Sequence, residues 1–173
     1  MEHRFHAEQW LPFPPALVFA FFANPENLPR IMPAWQQVRI EEAFFTAPPP
    51  RPAGVPVYPG IAAGVGTEML LSARMLPYVP ARAGWRARIE EFSWNEGFCD
   101  IQLSGPFRSW RHCHRLHEAN SAEGAPGTAV RDEIRYEIPR WLPEFLVRGQ
   151  LEKAFRYRHL RAAELLALAA RGR

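Results

Sequence analysis

Cysteine is nearly absent from this chain of 173 residues: only Cys99 and Cys113 occur. Two cysteines fit neither a zinc ribbon nor a disulfide framework. Reduced thiols are expected, with an oxidised pair as the alternative because both cysteines fall on neighbouring hairpin strands. Long hydrophobic runs are missing too. No stretch reaches the roughly 18 apolar residues of a bilayer-spanning helix, so no stable membrane insertion is expected. The opening "MEHRFHAEQW" is polar and charged, unlike a secretory leader, and a cytoplasmic protein is expected. A large excess of either charge is missing as well, with 21 Lys and Arg against 18 Asp and Glu. The net +3, its excess mostly arginine, is too small to argue for nucleic acid as a partner. With no internal repeat and no shift of composition, residues 1–173 read as one domain. At this length a chain buries about two-thirds of its unfolded surface.

What the chain does have is proline, 18 residues, and aromatics at 13%. Residues 3–11, "HRFHAEQWL", alternate loosely as a first strand. In "PPALVFAFFANP" the prolines suit a helix start and Asn24-Pro25 its end, and apolar residues on most sides make it a buried helix. "ENLPRIMP" reads as a second short helical turn closed by Pro33, and "WQQVRIEEAFF" as a strand over 35–45. The segment 47–63, "APPPRPAGVPVYPGIAA", should be an extended loop, because proline fixes φ and supplies no amide donor. It serves either as a plain connection, as a flap over a pocket, or through its PxxP spacing as a recognition ligand.

Alternating segments follow at 66–76, 84–92, 98–103, 110–118 and 128–138, separated by turn signals such as Asn95-Glu96-Gly97 and Gly105-Pro106. Short connections make these neighbours antiparallel. The last stretch is helical from about residue 143 to 170, roughly 40 Å at about 1.5 Å per residue. Leu151, Ala154, Phe155, Ala162, Leu165, Leu166 and Ala169 form its apolar stripe. Arg148, Lys153, Arg156, Arg158 and Arg161 read as a solvated basic side. The fold class is therefore α+β: a curved seven-stranded antiparallel sheet wrapped around a long C-terminal helix, with two short helices after strand 1. The concave face needs a cover, and only the last helix is long enough to supply it. A cavity between sheet and helix is expected.

This order of elements resembles the START/Bet v 1-like helix-grip superfamily, also called SRPBCC, and within it the small bacterial ligand-binding, polyketide cyclase/dehydrase-like branch. "EQWLPFPPALVFAFFANPENLPRIMP" is similar to that family's opening strand and helix pair. "GIAAGVGTEM" resembles its glycine-containing turn into the third strand, and "FCDIQLSGPFRSWRHCHRL" with "TAVRDEIRYEIP" its later hairpin strands. The likeness spans nearly the whole chain apart from the proline-rich loop at 47–63, which looks like an insertion. It implies a pocket for lipids, sterols, polyketides or hormones. It implies no fixed catalytic machinery, since fold analogy does not assign chemistry.

The residues themselves point to one place. On the strand "WRHCHRLHE" alternation puts Trp110, His112, His114 and Leu116 on one face, with Cys113 on the other. On "TAVRDEIRYEI" the inward set is Val130, Ile134, Tyr136 and Ile138, with Asp132 in their midst. A buried carboxylate requires a partner, and His112 or His114 on the adjacent strand is within reach. The register through Gly105-Pro106 decides whether Asp100 and Gln102 join them, and joining is the favoured outcome. Ligand contacts are expected from Trp110, His112, His114, Asp132, Gln102 and Tyr136. Trp85, Met69, Leu71, Met75 and Phe155 supply the apolar wall. Three uses compete: a polar network that orients a small hydrophobic ligand without reacting, a cyclase or dehydratase with His112, His114 and Asp132 as acid–base groups, and an interaction protein acting through the proline loop or basic helix. A metal site could draw three ligands from His112, His114 and Asp132, but nearby loops offer no fourth. No metal and no cofactor are expected, and the oligomeric state stays open.

Overall fold

The structure is a computed structural model that describes residues 1–74 and 80–171. Its elements run β1 (His3–Leu11), α1 (Pro15–Ala23), α2 (Leu28–Ile31), β2 (Arg39–Phe44), β3 (Glu68–Arg74), β4 (Arg82–Ser93), β5 (Gly97–Ser104), β6 (Ser109–Asn120), β7 (Pro126–Glu137) and α3 (Glu144–Arg171). The seven strands form one antiparallel sheet in the order β1-β7-β6-β5-β4-β3-β2. This is the helix-grip arrangement expected from the sequence. β2 is shorter than the segment 35–45 because Ala34–Gln36 closes a turn of 3-10 helix and Gln37 adopts left-handed backbone at φ 45°. Met75, assigned to the pocket wall from the sequence, lies outside the described residues.

α1 starts at proline, whose fixed φ suits a first helical turn. It ends where Asn24 leaves helical geometry and accepts a hydrogen bond from the Glu26 amide at 3.1 Å. Its Leu17, Val18, Phe19 and Phe21 are buried against Leu11, Phe98, Leu116 and Val130 of the sheet and Ala162, Leu165 and Leu166 of α3. A second cluster, Phe5, Ile134, Tyr136 and Phe155, holds the first half of α3 on β1 and β7. The Tyr136 hydroxyl donates to Glu144 Oε1 at 2.9 Å, and Arg148 bridges that carboxylate to the Arg4 carbonyl. The helix entrance is thus tied to both edge-side strands by polar bonds as well as by packing.

The proline-rich stretch carries no helix or strand between residues 45 and 67, as expected, but it is strapped down. Trp94 donates to the Pro49 carbonyl at 2.9 Å, and the Arg51 guanidinium stacks over the Trp94 ring at 4.2 Å. Near its end the Ala63 amide donates to the carbonyl of Ala23. Gly64 passes so close to Ala47 that a Cβ there would stand 2.5 Å from the Ala47 carbonyl oxygen.

The expectation of reduced thiols is corrected: Cys99 and Cys113 are joined as a disulfide. The reason is register. β5 and β6 pair so that the two residues stand directly opposite, on the face of β6 away from His112 and His114.

Two stability measurements test this framework. The crosslink spans a sequence separation of 14, for which chain entropy gives about 3 kcal/mol. Urea unfolding of Cys99→Ser, or of the unmutated protein with reductant, should show a loss of about that size; indifference to both would contradict it. Burial pushes the Tyr136 phenol up to about 12, and its bond to Glu144 adds to the shift. The neutral phenol is therefore favoured in the folded state. Its contribution is fully present below about pH 10 and is lost as pH rises towards 12. Tyr136→Phe should cost about 1.5 kcal/mol at about pH 8 and progressively less at higher pH.

Candidate functional site

Two rows of cross-strand neighbours build the site. One runs Asp100 (β5), His112 (β6), Ile134 (β7) and Phe5 (β1); the next runs Phe98, His114, Asp132 and Ala7. Directly opposed residues on one face have side chains within contact distance, and diagonal ones within reach of long side chains. Asp132 therefore meets His114 straight across and His112 on the diagonal. His112 Nε2 lies 2.9 Å from Asp132 Oδ1, and His114 Nδ1 lies 2.8 Å from the same oxygen. Only the His112 contact is aligned as a hydrogen bond. On its other side His112 Nδ1 stands 3.6 Å from Asp100 Oδ1. The register thus brings Asp100 into the polar group, as favoured from the sequence.

All three central residues are withdrawn from water: Asp132 is 2% exposed, His114 4% and His112 5%. Burial by itself would push the Asp132 carboxyl up. The three imidazoles gathered round it outweigh that and hold it well below the usual carboxylate range. An ionised carboxylate can only accept, so His112 Nε2–H is the donor of their bond. Burial first, and then the neighbouring His114, push His112 down, which keeps it neutral. Asp100 is pushed up by burial, which its neighbours His112 and Arg158 partly oppose.

The helix contributes two groups that sequence reasoning left out of the site. His159 Nε2 reaches to 3.5 Å from Asp132 Oδ2. Arg158, read from the sequence as part of a solvated basic side, is 9% exposed, a correction to that reading. Its guanidinium sits over the Phe155 ring at 4.6 Å, and burial pushes it down while the charges of Asp132 and Asp100 hold it up. No hydrogen bond to Arg158 is made among the described residues. The signal was present: 151, 155, 158, 162 and 165 share one helical face, so Arg158 lies within the apolar stripe and His159 beside it.

The other predicted contacts divide. Phe155 is buried with its ring edge-on to His112 at 5.7 Å and tilted against Phe5 at 5.3 Å. Trp110 adjoins His112 and packs on Phe107 and Tyr136. The Tyr136 hydroxyl is occupied by Glu144. Gln102 donates to the Phe107 carbonyl at 2.8 Å and so braces the turn before β6. Met69 and Leu71, with Trp85, form a separate cluster together with Leu28 of α2 and Ile40 and Ala43 of β2. They are not brought to the histidines. A hollow of about 470 Å³ lies along another face of α3, between Gln150, Lys153, Ala154 and Tyr157 and the segment Pro33–Gln36. Phe155, expected as part of the wall of a cavity between sheet and helix, packs between Phe5 and His112.

Chemically, the site offers an ionised carboxylate, the neutral imidazole of His112, two further imidazoles and a guanidinium within an apolar frame. Among the described residues no helix is long and apolar enough to cross a membrane. Similarity to known proteins agrees with the fold. Ara h 8.0201, in its crystal structure, superposes with a TM-score of 0.60 over 96% of this chain and 99% of its own, at 14% identity. TTHA0849 from Thermus thermophilus gives a TM-score of 0.60 over 97% of this chain and 99% of its own, at 19% identity. No curated protein matches the chain in sequence. The model of the family described as polyketide cyclase / dehydrase and lipid transport matches residues 11–162. With its seven-stranded sheet closed by α3 and that match over most of its length, the chain belongs to this family.

Proposed function

We propose that this protein binds a small hydrophobic molecule carrying one anionic or carbonyl head group, of lipid, polyketide, aromatic or isoprenoid type. The observation that carries this reading is Arg158: a guanidinium on a residue only 9% exposed, stacked over Phe155 and making no hydrogen bond among the described residues, with its nitrogens still open to an incoming group. Ligand oxygens would engage those donors in the fork geometry that guanidinium offers, in surroundings where a charge-assisted bond is strong. The groove beside α3 gives the apolar part of the ligand a path. Its wall residue Ala154 is next in sequence to Phe155 and one helical turn before Arg158. The family's description, which includes lipid transport, agrees with this class of ligand.

A second reading rests on the bond between His112 and Asp132. A neutral imidazole held by an ionised carboxylate is a competent general base, and its cation would be stabilised by the same carboxylate. In an apolar pocket this suffices for cyclisation or dehydration of a polyketide-like substrate.

Fluorescence titration separates these readings. The anionic probe 1-anilinonaphthalene-8-sulfonate should bind, and Arg158→Met should weaken it about 10-fold or more while leaving a neutral naphthylamine probe nearly unchanged. Ala154→Trp, which fills the groove, should weaken both probes. Equal affinities in all three proteins would reject the binding site. If the protein turns a substrate over, His112→Ala should reduce the rate by about 10²–10⁴ with probe binding retained.

A further inference from the structure

The imidazoles around Asp132 are arranged in a way that a hydrogen-bonded network alone does not explain. Three ring nitrogens, from His112, His114 and His159, converge on one carboxylate. Only one of them is aligned to donate. His114 Nδ1 and His159 Nε2 are both buried and stand close to the carboxylate, but neither is aligned with it as a hydrogen bond. The His114 ring cannot escape by turning into open space, because Phe98 lies 4.7 Å from it and Phe22 5.2 Å. Buried polar atoms are almost always satisfied, and two unaligned imidazole nitrogens beside one carboxylate call for a shared partner.

We infer that His112 Nε2, His114 Nδ1, His159 Nε2 and Asp132 form a binding site for a divalent transition-metal ion. The ligand atoms of His112, His114 and Asp132 all lie within 4.8 Å of one another. In a tetrahedral site with bonds of about 2.0–2.2 Å, adjacent ligand atoms stand about 3.3 Å apart. His112 Nε2 and His114 Nδ1 stand 2.9 and 2.8 Å from Asp132 Oδ1, and His159 Nε2 stands 3.5 Å from the second oxygen, Oδ2. Metal binding would draw the imidazoles in from the present spread of up to 4.8 Å and bring His159 towards the same point. The objection raised by the sequence, that no loop nearby provides a fourth ligand, is answered by α3.

Asp100 strengthens the assignment. A histidine that coordinates through one nitrogen commonly donates its other N–H to a carboxylate, which fixes the tautomer. His112 has that arrangement, with Nε2 towards the site and Nδ1 towards Asp100. Three nitrogens and one carboxylate oxygen suit zinc, iron(II) or cobalt(II) rather than calcium or magnesium, which prefer all-oxygen sets. The site goes beyond the binding reading above, which stands or falls on Arg158 and the groove.

The test uses the whole chain, stripped by chelator and titrated with zinc ion by calorimetry. Cobalt(II) absorption then reports coordination geometry. One equivalent of zinc should bind, and the cobalt form should show the intense visible bands of a tetrahedral nitrogen and oxygen site. His114→Ala should abolish stoichiometric binding. His159→Gln, on a side chain 20% exposed and so tolerant of replacement, should weaken it about 10-fold or more. Asp100→Asn should weaken it about 10-fold without altering the cobalt spectrum. Circular dichroism of each variant establishes that the fold is retained. Absence of stoichiometric zinc binding by the unmutated chain would overturn the site. So would zinc affinity unchanged in His159→Gln, which would also show that helix α3 supplies no ligand.

Discussion

An ionised carboxylate inside a protein must be surrounded by groups that replace its lost hydration, and Asp132 imposes that condition on the whole interior. The chain contains only two aspartates, Asp100 and Asp132, and both lie in the same patch of sheet. Three of its six histidines and one buried arginine are drawn to them. Because the surroundings are apolar, each of these interactions is stronger than it would be at a wet surface, and each missing partner is correspondingly more costly. Removing one member would leave the others exposed to the same penalty that they now relieve.

The apolar frame is what makes this polar patch specific. Phe98 and Phe22 pin the His114 ring, Phe155 borders His112, and the same Phe155 offers its face to Arg158. A close-packed aromatic frame leaves few alternative rotamers, so the polar atoms are held at fixed separations. The groove on the neighbouring face of α3 provides space without disturbing that frame.

Much of this was legible in the sequence, for reasons that differ by element. The strands announced themselves through alternation, and β6 and β7 in particular named His112, His114 and Asp132 as inward-facing. The long helix was visible in its apolar stripe. Arg158 and His159 were missed because their type outweighed their position. An arginine among other arginines reads as solvated, although its spacing from Phe155 and Ala162 puts it on the buried side. Met69, Leu71 and Trp85 were correctly placed on inward faces, yet periodicity gives no information on lateral position, and they pack with α2 and β2 instead. The cavity was expected from the need to cover a curved sheet. That need does not determine how far one large side chain, Phe155, fills the space beneath the cover.

The crosslink between β5 and β6 carries a consequence for how securely this arrangement is encoded. Cys113 sits between His112 and His114, and Cys99 beside Asp100. A slip of one residue between two strands would turn every inward side chain outward, and polar inward residues provide little hydrophobic penalty against such a slip. A covalent bond one residue away forbids it. The disulfide thus works as a ruler on the outer face. It sets which carboxylate stands behind which imidazole on the inner one, and it does so where ordinary packing discriminates least.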